Sequence, residues 1–379
     1  MIVKLPEYHV RLPRLDPEGF KRVLRERRAS YEPRFLSGVW RFEELLPRLP
    51  SEAIVTLAEG NVPLYESPRG ARYAGCDALA YLHLGMNPTG SFKDLGMTVA
   101  VSAAKATGAR GVACASTGNT ASSMAAYASR AGLNAYALVP RGRVSTSKLA
   151  QIYDYGAEVV EVDGSFDDAF ARLDGTNDGA VTIVNSVNPY RLEGQKCAAF
   201  ALLEARGWRV PDWVFVPGGN LGNSAAIGKG FREALELGFI DRLPRLAVVQ
   251  AAGAAPFARA WSARADLVPV VPQTSASAIA VGSPKSWRKA LYEVDASGGV
   301  VIAVDDDAID DAKAAIGAEG IGCEPASAAA LAGARALRGE SVLRPDADVV
   351  AVLTGHTLKD PDAILRIHAS RPRYEARAL

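Results

Sequence analysis

Cysteine is scarce in this 379-residue chain, and Cys76, Cys114, Cys197 and Cys323 stand far apart with no C-x-x-C or C-x-x-H spacing. That excludes a disulfide framework, argues against structural zinc, and fits a reduced cytoplasm. Histidine is as scarce: His9, His83, His356 and His368 are dispersed without metal-ligand spacing, so no metal site is expected. Charge of either sign is not in excess, with 43 basic against 42 acidic residues and a net charge of +1. No broad field is available to hold a nucleic-acid backbone or an anionic membrane. No apolar run is long enough to cross a bilayer, and the N-terminus, MIVKLPEYHVRLPRL, is broken by prolines and charges and has no signal-like core. The expected partner is a small molecule or a second copy of the chain.

From about residue 79 the sequence alternates short β-branched or apolar runs with Ala-rich helical stretches. That rhythm predicts α/β architecture around parallel sheets. Strands are expected at 79–84, 111–115, 135–139, 158–162, 181–185, 213–216, 246–250, 300–304 and 349–353. Nine strands exceed one small sheet. Helices over 118–132 and 324–337 carry small side chains on most faces and are expected to be buried against a sheet. The first fifty residues lack the βα rhythm and read as an arm, a dimer-contact layer or a surface wrap, while 140–147 and 269–286 read as loops.

Several polar clusters follow a strand and open a helix, at the carboxyl edge where open α/β sheets bind ligands. Lys93 lies in Asn87-Pro88-Thr89-Gly90-Ser91-Phe92-Lys93-Asp94. A lysine desolvated there has a lowered pKa and forms Schiff bases with carbonyls, although a lysine at a helix start, taken alone, is more often a solvated surface charge. Ser116-Thr117-Gly118-Asn119-Thr120 offers hydroxyls, an amide and free N–H groups to an anion, or simply caps a helix. Gly218-Gly219-Asn220-Leu221-Gly222-Asn223 permits close backbone approach to a phosphate. It is neither G-x-G-x-x-G nor a Walker loop, and the next strand ends at Gln250 rather than a ribose-binding acid. Ser145-Thr146-Ser147-Lys148 matches S-x-x-K, but the chain has no S-D-N or K-T-G to accompany it. Two more clusters, 185–196 with Ser186, Asn188 and Arg191, and 354–360 with Thr354, complete five junctions that can share one cleft.

With these residues in view, the chain resembles the threonine synthases, pyridoxal-phosphate enzymes of the tryptophan-synthase β-like fold (fold type II, two domains of open twisted sheet). NPTGSFKDLGMT, CASTGNTASS, NSVNPYRLEGQK, VPGGNLGN and LTGHTLKDP occur in the family's order, and the pair NPTGSFKD and NPYRLEGQK is highly specific. The resemblance implies that Lys93 is catalytic and carries the cofactor as a Schiff base, and that Asn119 bonds its 3-hydroxyl. It further implies that Gly218, Gly219, Asn220, Leu221, Gly222 and Asn223 cradle the cofactor phosphate and that Thr354 faces the pyridine nitrogen. Ser116, Thr117, Thr120, Ser186, Asn188 and Arg191 would then bind substrate, with Arg191 the bidentate reader of its phosphate.

The implied reaction is a lyase step in threonine biosynthesis, O-phospho-L-homoserine plus water giving L-threonine and phosphate, in a cytoplasmic homodimer. The implied division is a smaller mobile domain over 92–185 and a larger one made of 1–91 with 186–379. Two departures stand beside the site: AEGNVPL at 58–64 where members usually read GEGNTPL, and Thr357 where glycine commonly follows His356. Activation by S-adenosylmethionine is not expected, since no long plant-type extension precedes the first motif. Rival readings are a β-replacing or β-eliminating enzyme on phosphoserine, serine or threonine, for which a phosphate pocket has no use in plain dehydratases, and a silent relative, against which the retained Lys93 argues.

Overall fold

The structure, a computed structural model, describes residues 12–116, 118–140, 146–163 and 180–369. Among the described residues ten strands form two sheets: β1 (Leu64–Glu66), β2 (Ala78–His83), β3 (Gly111–Ala115), β4 (Asn134–Pro140), β5 (Glu158–Val162), β6 (Val181–Ile183), β7 (Trp213–Pro217), β8 (Arg245–Ala251), β9 (Val300–Val304) and β10 (Asp348–Leu353). The larger sheet runs β1-β2-β10-β7-β8-β9 and the smaller β5-β4-β3-β6. All pairings are parallel except β1 with β2.

Parallel strands covered on both faces read as continuous apolar runs. β7, with the sequence WVFVP, is buried along its whole length, and so is β10 after its first residue. The Ala-rich helix Pro325–Gly339 packs across β7, β8, β9 and β10, where Ala328 to Ala330 are fully buried. The helix Asn119–Ala131 covers β3 and β4 in the same way and ends on Gly132 at φ 71°, a left-handed position that glycine adopts without strain. Larger side chains would hold these helices away from their sheets.

The nine expected strands are present, with shifts of one or two residues at some ends. β1 was not legible, because three residues, two half-buried and one exposed, are too few to show a period of two. The segment 140–147 is only partly a loop: residues 141–145 lie outside the described residues, and a helix, Thr146–Asp154, begins within it. Residues 269–286 are irregular, with one 3₁₀ turn at Ser277–Ile279.

The expected arm at the N-terminus needs correction. Helix Pro17–Arg28, capped by Asp16, buries Phe20 and Leu24, and Phe20 stacks on Phe239 with ring centroids 5.5 Å apart. Trp40 donates its indole N–H to Thr98 Oγ1 at 2.8 Å, and Phe42 packs against Phe200. The described part of this segment is thus a wall of the main core, its few apolar residues set among arginines and outside any βα unit.

The four strands of the smaller sheet fall within residues 111–183, and those of the larger come from 64–83 and 213–353. Helix Lys93–Ala106 packs against both Pro189–Gln195 and Asn119–Ala131. The carboxyl ends of β2, β7 and β10 thereby face those of β3 and β6.

Candidate active site

Lys93 is the first residue of its helix, reached from β2 through a 3₁₀ turn and a loop turned by Gly90 at φ 84°. Backbone bonds hold that loop to the one after β10: Phe92 N donates to Thr354 O at 2.9 Å and His356 N to Gly90 O at 2.8 Å. The Lys93 ammonium lies over the Phe92 ring, 3.7 Å from its centroid. Burial pulls its pKa down to about 7, the positive Arg191 and Lys359 pull the same way, and Glu324 and Asp94 oppose them. An amine that is neutral for much of the time at pH 7 can serve as nucleophile or base.

Asp94, next along the helix, is fully buried. It accepts from Thr89 N at 2.7 Å, from Thr89 Oγ1 at 2.6 Å and from Ser123 Oγ at 2.6 Å. Burial raises its pKa to about 6, against those hydrogen bonds. It locks the loop that aims Lys93 and ties it to the helix above β3.

Asn119 opens that second helix and donates Nδ2 to Glu324 Oε2 at 3.1 Å. Thr354 is buried after β10; its hydroxyl lies 3.1 Å from Ser327 Oγ and donates to Glu324 Oε1 at 3.5 Å. Glu324 therefore joins the two residues expected at opposite positions of a ring, and burial pushes its pKa up against the Asn119 hydrogen bond and the nearby Lys93. It was not among the sequence candidates.

The glycine loop joins β7 to helix Gly222–Glu236. Gly218 donates its N–H to Val249 O at 2.7 Å, so that N–H is already used; the glycine is needed because a Cβ would come 2.8 Å from Val248 Cγ1. Leu221 holds a left-handed φ of 65°, strain of the sort that persists where a binding loop is over-determined. Asn220 reaches away, donating to Ser186 Oγ at 2.5 Å and accepting from Lys285 N at 2.6 Å.

Asn223 is buried, and neither end of its amide has a hydrogen-bond partner among the described residues; Ser224 Oγ has none either. Bare buried polar groups cost about 1–3 kcal/mol each, and the first-turn N–H groups of a helix have no intrahelical partner. Donors of this kind, converging on a helix N-terminus, fit a phosphate group.

Arg191 is 1% exposed on helix Pro189–Gln195. Nη1 donates to Val184 O at 2.7 Å, Nε has no partner, and no carboxylate among the described residues makes an ion pair with it. Burial pulls its pKa down to about 10, so it stays charged at neutral pH. Gly96 makes room for it, since a Cβ there would sit 2.9 Å from Nε. Ser186 is half-buried beside Asn220, and Ser116 accepts from Gly118 N at 3.2 Å. Thr120 is on the first turn of Asn119–Ala131; Thr117 lies outside the described residues. Asn188 is employed elsewhere: its Oδ1 accepts from Tyr190 N at 3.0 Å as helix cap, and its Nδ2 donates to Ile183 O at 2.9 Å.

Lys359 was also missed, although it lies within the 354–360 cluster. It reaches from the loop after β10 to Thr89 O at 3.3 Å, Ser122 Oγ at 3.5 Å and Gln151, a tie between elements of the two sheets. Glu59 gathers Ser37, Thr56, the Leu57 N–H and Tyr127 on one buried carboxylate. Of the two departures beside the site, Ala58 holds φ 62°, a conformation that suits glycine, whereas Thr357 is not among the positive-φ residues and packs against Gly322.

The family described as pyridoxal-phosphate dependent enzyme matches residues 55–355. A threonine synthase of Methanocaldococcus jannaschii is 45% identical over 333 residues, 87% of this chain and 82% of that protein. One from Synechocystis sp. is 47% identical over 329 residues, 86% of this chain and 84% of its own. Among solved structures, the processed threonine deaminase isoform 2 of Solanum lycopersicum superposes with a TM-score of 0.71 at 19% identity, over 98% of this chain and 100% of that one. At that identity the likeness shows the fold. The chain belongs to the pyridoxal-phosphate-dependent enzymes of fold type II and, among them, to the threonine synthase family.

Proposed function

We infer that the chain converts O-phospho-L-homoserine and water to L-threonine and inorganic phosphate with pyridoxal 5'-phosphate as cofactor. The observation that carries the reading to a phosphorylated substrate is Arg191, a buried guanidinium without an ion-pair partner among the described residues, close enough to Lys93 to depress its pKa. A plain serine or threonine dehydratase has no substrate phosphate to place there. An uncompensated buried charge is costly, and a phosphate would complete it with charge-assisted hydrogen bonds.

In this reading Lys93 would hold the cofactor's aldehyde, Asn119 its 3-oxygen and Thr354 its ring nitrogen, while the N–H groups of residues 219–223 and the Asn223 amide would receive its phosphate. When bound, the cofactor supplies an electron sink for charge developing at the substrate's α carbon. With the cofactor in place, Lys93 would take and return protons at the substrate's α and β carbons; a pKa near the working pH suits both directions. Ser116, Thr117 and Thr120 receive the substrate carboxylate and part of its phosphate. Arg191 and Ser186 hold the phosphate as it leaves the γ carbon and stabilise its growing charge, and water adds at the β carbon. Asn188 shapes the loop as a cap.

The protein is read as a cytoplasmic homodimer with a smaller, movable unit over residues 92–185. Four buried, unpaired cysteines support a reducing compartment, and no described helix is long and apolar enough to cross a membrane. Incubation of the purified protein with phosphohomoserine should give threonine and phosphate in equal amounts, and no turnover, or release of phosphate without threonine, would count against the reading. Sedimentation gives the oligomeric state.

A further inference from the structure

Glu324 has no structural task that explains its position. It stands at the N-cap of helix Pro325–Gly339, yet its side chain makes no capping bond. It is 4% exposed and no cation makes an ion pair with it among the described residues. Its carboxylate lies across the backbone of Gly355, where any Cβ would overlap it. A buried carboxylate with one amide donor and one long hydroxyl contact is an expensive way to hold a fold.

Both contacts run to residues that face the cofactor in the proposed reading, on which this inference rests: Asn119 at 3.1 Å and Thr354 at 3.5 Å. An ionised carboxylate only accepts, so the Asn119 group it holds must be the NH₂ end. That fixes the amide with its remaining N–H, not its carbonyl, free to meet another oxygen. We propose that Glu324 is a positioning residue, which orients the Asn119 amide as a donor to the cofactor's 3-oxygen and places a negative charge beside Lys93. Thr354 is held by the same carboxylate, so one side chain sets the direction of two ring contacts.

The charged groups around this arrangement come from several elements. Lys93 and Asp94 lie at the start of their helix, Arg191 on Pro189–Gln195, and Lys359 and Asp360 on the loop after β10. Glu324 and Asp94 favour a protonated nitrogen at Lys93, whereas Arg191 and Lys359 disfavour it.

A double-mutant cycle on cofactor binding to apoenzyme tests the first half of the proposal. Glu324→Ala should weaken pyridoxal phosphate binding at least about tenfold when Asn119 is present, and less than about threefold in an Asn119→Ala background. Equal losses in both backgrounds would overturn it. Glu324→Gln tests the second half and covers failure of the alanine variant to fold, since it keeps an acceptor oxygen but removes the charge. The visible absorbance of its cofactor-loaded form should titrate at lower pH than that of the parent, by about half a unit or more. Glu324→Asp should restore the parent's titration at least in part. A Glu324→Gln titration that coincides with the parent's would contradict the charge role. If the wild-type apoenzyme takes up no cofactor, the proposed function itself has failed; if it turns yellow and the cycle is additive, only Glu324 has been misassigned.

Discussion

Arg191→Ala separates two explanations of the same buried guanidinium. If Arg191 were a structural strut, truncation would cost stability and touch catalysis only through folding. The structure gives it a single intramolecular hydrogen bond, to Val184 O, an Nε without a partner, and no ion pair among the described residues. Losing that bond costs about 1 kcal/mol, and removing an unpaired buried charge returns a comparable amount. The variant should therefore unfold within about 1–2 kcal/mol of the parent in phosphate-free buffer. Its kcat/KM on phosphohomoserine should fall by about 2–5 kcal/mol, or roughly 30- to 5,000-fold. Inorganic phosphate, as product, should raise the melting temperature of cofactor-loaded wild type, whose cofactor cradle is already filled, and do so much less for Arg191→Ala. Arg191→Lys should rescue only partly, because an ammonium lacks the planar fork and loses its charge more readily where burial already depresses a guanidinium. An unimpaired kcat/KM, or equal stabilisation of both proteins by phosphate, would refute the reasoning.

Three further outcomes follow from particular residues. Gly222→Ala should lower cofactor affinity at least about tenfold without loss of stability, since a Cβ there meets no protein atom closer than 3.7 Å and would intrude only on a bound phosphate; equilibrium dialysis and thermal melts read the two effects. Ala58→Gly should leave kinetics unchanged and stabilise the fold by up to about 1 kcal/mol, as relief of the left-handed conformation at φ 62° outweighs the entropy of a freer unfolded chain; urea unfolding measures it. Lys93, with a folded pKa near 7 against 10.5 unfolded, contributes stability to the apoenzyme that is present above about pH 10.5 and lost as pH falls through 7. Lys93→Met apoenzyme should lack that dependence, so parallel pH–stability curves for the two proteins would contradict the depressed pKa.

Much of the architecture was legible because parallel strands buried on both faces leave uninterrupted apolar runs, such as Val349 to Leu353, between Ala-rich helices. Asn119, Gly219 and Thr354 were legible because each lies within four residues of a strand end, where sequence neighbours share one edge of a sheet; Lys93, ten residues beyond β2, stood out by its place at the start of the helix that follows. Glu324 was not. It sits at the start of an Ala-rich helix that reads as core, and its place opposite Asn119 depends on two sheets meeting across about 200 residues of sequence. Asn188 shows the converse: Asn followed by Pro at a helix start is a cap by local geometry, and its amide is spent there. The N-terminal wall was hidden because Phe20 and Leu24 make a single short apolar stripe on an otherwise basic helix, and Trp40 and Phe42 lie on a 3₁₀ turn with no strand to pair with.

The most direct test of the account is to incubate the purified, cofactor-loaded protein with O-phospho-L-homoserine, quantify products, and then map the lysine that borohydride fixes to the cofactor. Threonine and phosphate are expected in equal amounts, with the label on Lys93. A label on another lysine, or equal turnover of unphosphorylated homoserine, would contradict it.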